Sequence, residues 1–284
     1  MIARFGPAGN GDAFYAAGKK STLEAPAWLQ EQGLTAYEYQ CGRGVRVSEE
    51  TARALGEQAA AHDIQLSLHA PYFISLASAE PEKRDNSIRY ILESARAVTQ
   101  MGGTRIVAHP GGLGGLSRAD ATALASETLR RAQLALDEQG LSSVRICPET
   151  MGKINQMGDL DEVLQFCRID ERFLPCIDFG HLNSRTGGGL NSEEAFAALL
   201  DRLHNELGAE RASCFHAHFS KIEYTKGGEK CHLTFADEVY GPEPAPLMKL
   251  IRDRDLTPTF ICESDGTQAE DARTLMQLYK GELV

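Results

Sequence analysis

Eight short runs rich in apolar and β-branched residues alternate along this chain with stretches of helical spacing, and that alternation restricts the possible folds more than any other feature. The runs lie near residues 2–6, 36–40, 64–69, 104–109, 143–149, 173–178, 213–219 and 258–263. Between them, Ile88, Ile91, Leu92, Ala95 and Val98 recur at helical steps, as do Phe196, Leu199, Leu200, Leu203 and Leu207. Openings such as Ser48-Glu49-Glu50 and Asn191-Ser192-Glu193-Glu194 put side-chain oxygens where the first free amides of a helix need acceptors. Strands of nearly unbroken apolar character belong in a parallel sheet covered on both faces. A (β/α)8 TIM barrel of the α/β class accommodates all eight units, with residues 1–284 as a single domain. An eight-stranded open sheet is the less economical alternative.

A chain that is 42% hydrophobic and 24% charged can bury a sizeable core and is not disordered. No apolar run approaches the ~18 residues of a membrane span, and the opening Met1–Pro7 segment has no apolar leader core. A soluble, cytoplasmic, monomeric protein is expected, with no membrane partner. The seven cysteines include no Cys-x-x-Cys pair. Cys147, Cys176, Cys214 and Cys262 lie in apolar strand-like runs, where a thiol behaves as a small hydrophobe. A disulfide framework or a thiolate zinc site is therefore not expected. The net charge of −11 repels nucleic acid, so any such partner needs a local basic patch or bound cations. Segments 7–20, 70–84 and 220–246 read as long connections, the last a candidate mobile or site-covering loop.

The polar residues that end the strands carry the chemistry. Leu66-Ser67-Leu68 ends at His69, Ile106-Val107-Ala108 at His109, and Ile146-Cys147-Pro148 at Glu149. Cys176-Ile177 ends at Asp178, Phe215-His216-Ala217 at His218, and Phe260-Ile261-Cys262 at Glu263. One strand-end histidine is most simply a hydrogen-bonded polar residue, and one carboxylate a helix cap. Six successive strands ending this way converge on one barrel mouth. Three carboxylates brought together there need positive charge among them, and imidazole and carboxylate oxygen are both ligands of zinc and manganese. His181, and His232 in the long seventh loop, are within reach of the same mouth. His216 shares the inward face with His218 by strand alternation and is either its supporting partner or an alternative ligand. His62 and His204 read as solvated helix-face residues. Gly18-Lys19-Lys20-Ser21 lacks the earlier glycine of a phosphate loop, because position 13 is alanine. The glycines of Gly111-Gly112 and Gly114-Gly115 suit a tight loop.

Together, His69-Ala70-Pro71-Tyr72-Phe73, His109-Pro110-Gly111, Glu149-Thr150-Met151-Gly152-Lys153, Asp178-Phe179-Gly180-His181 and Glu263-Ser264 resemble the endonuclease IV family. These are apurinic/apyrimidinic endonucleases of the xylose isomerase-like TIM-barrel superfamily. The resemblance implies two or three zinc ions. His69 and His109 would bind one, Glu149 would bridge to a second completed by Asp178, His218 and Glu263, and His181 would hold a third. The family's Asp-x-His pair for that third ion is replaced by Glu229-Lys230-Cys231-His232, so Glu229 and His232 are the nearest counterparts. Tyr72 stands where the family has a groove-inserting tyrosine. The basic, aromatic loop after the second strand is replaced by Gln40-Cys41-Gly42-Arg43-Gly44-Val45-Arg46, leaving Arg43 or Arg46 as partial substitutes.

The resemblance implies metal-dependent cleavage of duplex DNA on the 5′ side of an abasic site, with Glu149 as the central catalytic residue. Divalent ions suit this chemistry because they supply hydroxide at neutral pH and neutralise the leaving oxygen. The alternative is a divalent-metal-dependent sugar isomerase or epimerase, for which Glu149, Asp178, His218 and Glu263 would suffice. A further alternative is a barrel that binds metal or ligand without turnover. His69 and His109 favour the multinuclear hydrolytic site, while the acidic charge and the altered loop favour the sugar enzyme.

Overall fold

A computed structural model describes residues 2–283. Met1, the first residue of the opening segment read as lacking a leader, and Val284 lie outside the described residues. Eight parallel strands form the wall: β1 (Arg4–Pro7), β2 (Ala36–Gln40), β3 (Gln65–His69), β4 (Arg105–Ala108), β5 (Arg145–Pro148), β6 (Cys176–Asp178), β7 (His216–Phe219) and, after a hairpin, β10 (Thr259–Cys262). They pair as β1-β10-β7-β6 and β2-β3-β4-β5. Two short seams join these halves into a closed barrel. At one, Gly9 N donates to Glu38 O at 2.9 Å, and at the other, Thr150 N donates to Cys176 O at 3.0 Å. Isolated parallel bridges Ala8–Glu38 and Glu149–Cys176 mark the same seams. Each wall strand overlaps the run expected from the pattern, although the sixth and seventh begin at Cys176 and His216 and not near 173 and 213. Residue 213 closes the preceding helix, and Cys214 is its half-buried C-cap, which corrects its placement in a strand.

The outer layer is α1 (Asp12–Ala16), α2 (Ala25–Glu31), α3 (Glu49–Ala61), α4 (Pro81–Gln100), α5 (Arg118–Glu138), α6 (Leu160–Cys167), α7 (Phe179–Arg185), α8 (Glu193–Ser213), α9 (Pro244–Asp253) and α10 (Gln268–Lys280). Ser48 and Ser192 cap α3 and α8 by accepting from Thr51 N and Ala195 N, as their sequence context suggested. His62, read as solvated, caps the end of α3 and contacts Gln30 Oε1 at 2.7 Å, whereas His204 is exposed. The apolar faces of the helices and the outward strand residues, such as Ile106, Ile146 and Ile177, make the main core. A separate small cluster of Val107, Cys147, Leu174 and Cys176 packs apart from it. Strand alternation sends Val107, Cys147 and Cys176 inward, one layer beneath His109, Glu149 and Asp178. On that side of the barrel the residues below the mouth are thus small or apolar, and most of the polar groups gather at the carboxyl ends of the strands.

The 220–246 connection is more ordered than expected of a mobile loop. It folds into an antiparallel hairpin, β8 (Lys221–Thr225) and β9 (Gly228–Leu233). Gly228, at φ +89°, lies against the carbonyl of Gly152, where an added Cβ would come within 2.1 Å of the oxygen. The hairpin is therefore pressed onto the loop that follows β5, and Lys153 and Gly228 form an antiparallel bridge there.

Candidate metal centre

The strand ends bring the expected residues together. Glu149 is fully buried at the centre, and its two carboxylate oxygens face different partners. Oε2 lies 3.3 Å from His69 Nε2 and 3.1 Å from His109 Nε2. Oε1 lies 3.2 Å from His218 Nδ1 and 3.3 Å from His181 Nδ1. His218 Nδ1 is also 3.4 Å from Glu263 Oε2. Three groups of ligand atoms, each within 4.8 Å of one another, surround this carboxylate: His69, His109 and Glu149; Glu149, Asp178, His218 and Glu263; and His181, Glu229 and His232. Glu229 and His232 both come from β9. Tyr224 pairs with Glu229 and Glu223 with Cys231, so Lys230 is an extra residue in the ladder. That bulge lets two residues three apart in sequence serve one side of the strand.

Most of these histidines have their far nitrogen held by an oxygen. His69 Nδ1 donates to Ala70 O at 2.8 Å, leaving Nε2 toward Glu149. His181 Nδ1 donates to Thr150 O at 2.9 Å, leaving Nε2 toward Glu229 Oε2 at 3.5 Å. His232 Nδ1 is 2.8 Å from Ser220 Oγ. Such contacts fix ring orientation and tautomer, which a ligating imidazole requires. Asp178 is the N-cap of α7, with Oδ1 accepting from His181 N at 2.6 Å. Its other oxygen, Oδ2, is buried and has no hydrogen-bond partner among the described residues. Its nearest charge partner is His181 Nδ1 at 3.3 Å, which already hydrogen-bonds Thr150 O, so Oδ2 keeps room for a cation and this set of imidazole and carboxylate donors fits divalent metal ions.

The electrostatics follow from burial and proximity. Burial would raise the Glu149 and Glu38 carboxyls, but the neighbouring histidines hold both well below the ordinary range. Burial also opposes ionisation of Glu263, yet His218 brings it down to about 2. Asp178 goes the other way: burial raises it, assisted by Glu263 and Glu149, and His181 only partly offsets this. Burial disfavours the His181 cation, but Asp178 and Glu149 push its ring up to about 10. His216 is pulled down to about 4, chiefly by burial. The carboxylates thus attract positive charge, and they favour the protonated rings of His69, His181 and His218.

A cavity of about 800 Å³ opens above this cluster. Arg43 and Tyr72 line it, together with Lys153 and Gln156, which the sequence reading did not single out. Tyr72 is 56% exposed and lies nearly parallel to His109, with ring centroids 5.2 Å apart. Arg46 is not among the lining residues. His216 lies beneath the cluster, with Nε2 2.9 Å from Glu38 Oε2, and it also offers a ligand atom within 4.8 Å of those of Cys176 and His218, so the geometry is compatible with both roles considered for it. Glu38 was also overlooked, because it sits inside β2 and not at its end. An acid between Tyr37 and Tyr39 in a strand buried on both faces was the signal available.

Comparison with known proteins agrees with this barrel. A family model described as a xylose isomerase-like TIM barrel matches residues 26–280. Over 251 residues the chain is 36% identical to the uncharacterized protein MJ0133 of Methanocaldococcus jannaschii, spanning 88% of this chain and 89% of that protein. It is 28% identical over 179 residues to a probable endonuclease 4 of Acholeplasma laidlawii, spanning 61% of this chain and 59% of that one. Among solved structures, a D-tagatose 3-epimerase-like protein superposes with a TM-score of 0.73 at 16% identity, covering 98% of this chain and 97% of its own. Endonuclease IV from Thermus thermophilus superposes with a TM-score of 0.67 at 19% identity, covering 98% of both chains. At these identities the two structures attest to the fold alone.

Proposed function

The chain belongs to the xylose isomerase-like TIM-barrel family, and from that premise and the geometry of its mouth we propose that it is a metal-dependent phosphodiester hydrolase cutting DNA 5′ to abasic sites. The carrying observation is the two-sided carboxylate of Glu149, with Nε2 of His69 and of His109 on one oxygen and Nδ1 of His218 on the other. A mononuclear sugar enzyme has no need of His69 and His109 beside a second oxygen. His69 and His109 would hold one ion, Asp178, His218 and Glu263 a second, and His181, Glu229 and His232 a third, with Glu149 shared. Zinc or manganese bound there would supply a nucleophile at neutral pH and neutralise charge on the leaving 3′ oxygen.

The remaining residues bind and orient the substrate. Arg43 and Lys153 line the cavity without an ion-pair partner among the described residues, which suits them to phosphate oxygens. The exposed ring of Tyr72, with Phe73 beside it, offers a stacking face for a base or sugar. The net charge of −11 makes these local cations and the bound metal the attractive part of the encounter. Glu149→Gln keeps the volume but removes the charge shared between ions; it should lower the metal content and abolish incision, and wild-type incision by this variant would refute the assignment.

The second reading is a sugar isomerase or epimerase. Glu149, Asp178, His218 and Glu263 alone form one complete set around a single position, which favours it. Metal-quantified protein should be incubated with an abasic-site duplex and, separately, with a panel of ketoses. Two or three equivalents of metal, with chelator-sensitive incision that weakens steeply with salt, support the nuclease. One equivalent with activity on free sugars supports the isomerase, and bound metal with neither activity supports a binding barrel.

A further inference from the structure

We infer that Glu38 is a positioning residue for the metal centre: by facing His218 Nε2 it orients that ring so that Nδ1 is the ligating atom. This rests on the reading of the mouth as a metal centre but concerns a residue outside the ligand groups. Glu38 lies in the middle of β2, fully buried, at the seam where β1 and β2 close the barrel. Its Oε1 is 3.0 Å from His218 Nε2, and Gln40 Nε2 donates to the same oxygen at 3.3 Å. The approach to the ring is oblique, so buried Nε2 lacks an aligned acceptor, and Glu38 is the carboxylate within reach to supply one. Its Oε2 accepts from Ser67 Oγ at 2.9 Å and meets His216 Nε2 at 2.9 Å. Side chains from β2, β3 and β7 therefore hold one carboxylate in place, so Glu38 can in turn fix the ring it faces.

The comparison with the other histidines makes the role specific. The far nitrogens of His69 and His181 meet backbone carbonyls, and that of His232 meets a hydroxyl. Only His218, among the described residues of the three groups, has a carboxylate from outside those groups behind it. An anion on the far side of an imidazole strengthens its donation to a metal and fixes which nitrogen carries the proton. His218 is also the imidazole of the group that otherwise contains only carboxylates, Glu149, Asp178 and Glu263. His216 completes the support, because its Nε2 faces Glu38 and its Nδ1 has no partner among the described residues.

Apo wild-type protein and Glu38→Gln are titrated with Zn(II) and with Co(II), and the cobalt absorption spectrum is recorded. The wild type is expected to bind at least two ions. The variant should keep the ion on His69 and His109 but bind the other about 10- to 100-fold more weakly, with an altered cobalt band. Wild-type affinity at both positions, with an unchanged spectrum in folded Glu38→Gln, overturns the inference while leaving the metal centre intact. Failure of the wild type to bind metal overturns both. Should the variant not fold, the nitrogen shifts of His218 in zinc-loaded wild type decide. A proton on Nε2 supports the inference, and a proton on Nδ1 refutes it. A strong thiolate-to-cobalt band in the wild type also refutes it, because it would put the ion on Cys176 and His216, whose ligand atoms lie within 4.8 Å of His218.

Discussion

An imidazole cannot bind a metal through a nitrogen that carries a proton, and the carboxylates of this mouth favour the protonated ring of His69, His181 and His218. His181 is the clearest case, pushed up to about 10 by Asp178 and Glu149 against the opposing effect of burial. On the proposed reading, its ring would have to give up a proton at neutral pH before Nε2 could join Glu229 and His232 around an ion. Raising the pH toward that value removes the competition, so affinity at this third position should rise by up to about tenfold per pH unit. Calorimetric zinc titrations between about pH 6 and pH 9, in buffers of different ionisation enthalpy, check this. A flat affinity with no proton release would contradict it. At this scale the strand-terminal residues were legible, because a histidine or carboxylate at the end of an apolar run stands out from its neighbours. Glu38 was missed because its importance comes from facing His218 and His216, the latter 178 positions away in sequence, and nothing in the residues around it announces those partners.

Barrel closure depends on the approach of β1 to β2, and Gly6 makes that approach possible. A Cβ at Gly6 would lie 1.8 Å from the carbonyl oxygen of Ala36, a backbone atom that cannot swing aside. Gly6→Ala should therefore destabilise the fold by about 1–3 kcal/mol or more, read as a lowered thermal midpoint. An unchanged midpoint would show that the seam is not tight. The loop after β5 is the second element with a testable role. Arg185 donates to Met151 O at 3.2 Å and Lys153 O at 2.7 Å, while Arg118 donates to Ile154 O at 2.6 Å. These guanidiniums hold the segment that presents Lys153 and Gln156 to the cavity. Arg185→Met should leave metal content unchanged and raise KM for the scissile substrate several-fold, and an unchanged KM would separate the loop from binding. The 3.6-residue and two-residue periodicities made the helices and strands readable in advance. The hairpin of β8 and β9 was not, because its lysine-rich, half-exposed strands have little apolar alternation and are held by pairing with each other and by packing on Gly152.

If ions bind at its mouth as proposed, the whole barrel should respond to them. Candidate ligand groups drawn from six strand ends, α7 and β9 are assembled only in the folded chain, so on the proposed reading metal would bind the native state in preference to the unfolded one. An ion present at 100 times its dissociation constant would add about 2.7 kcal/mol. Chelation should therefore lower the thermal midpoint, and re-addition of Zn(II) should restore it; a midpoint indifferent to both would argue against structural coupling. The amino-acid order alone specifies the alternation of strands and helices, because periodicity is a local property, and it specifies which donors stand at the carboxyl ends of the strands. It leaves open which of those donors share an ion, which nitrogen of each ring faces inward, and how Glu229 and His232 reach His181. Those follow from strand register, from the two closing seams and from the hydrogen bonds behind each imidazole. All of these join residues far apart in the chain, and their geometry exists only once the barrel has closed.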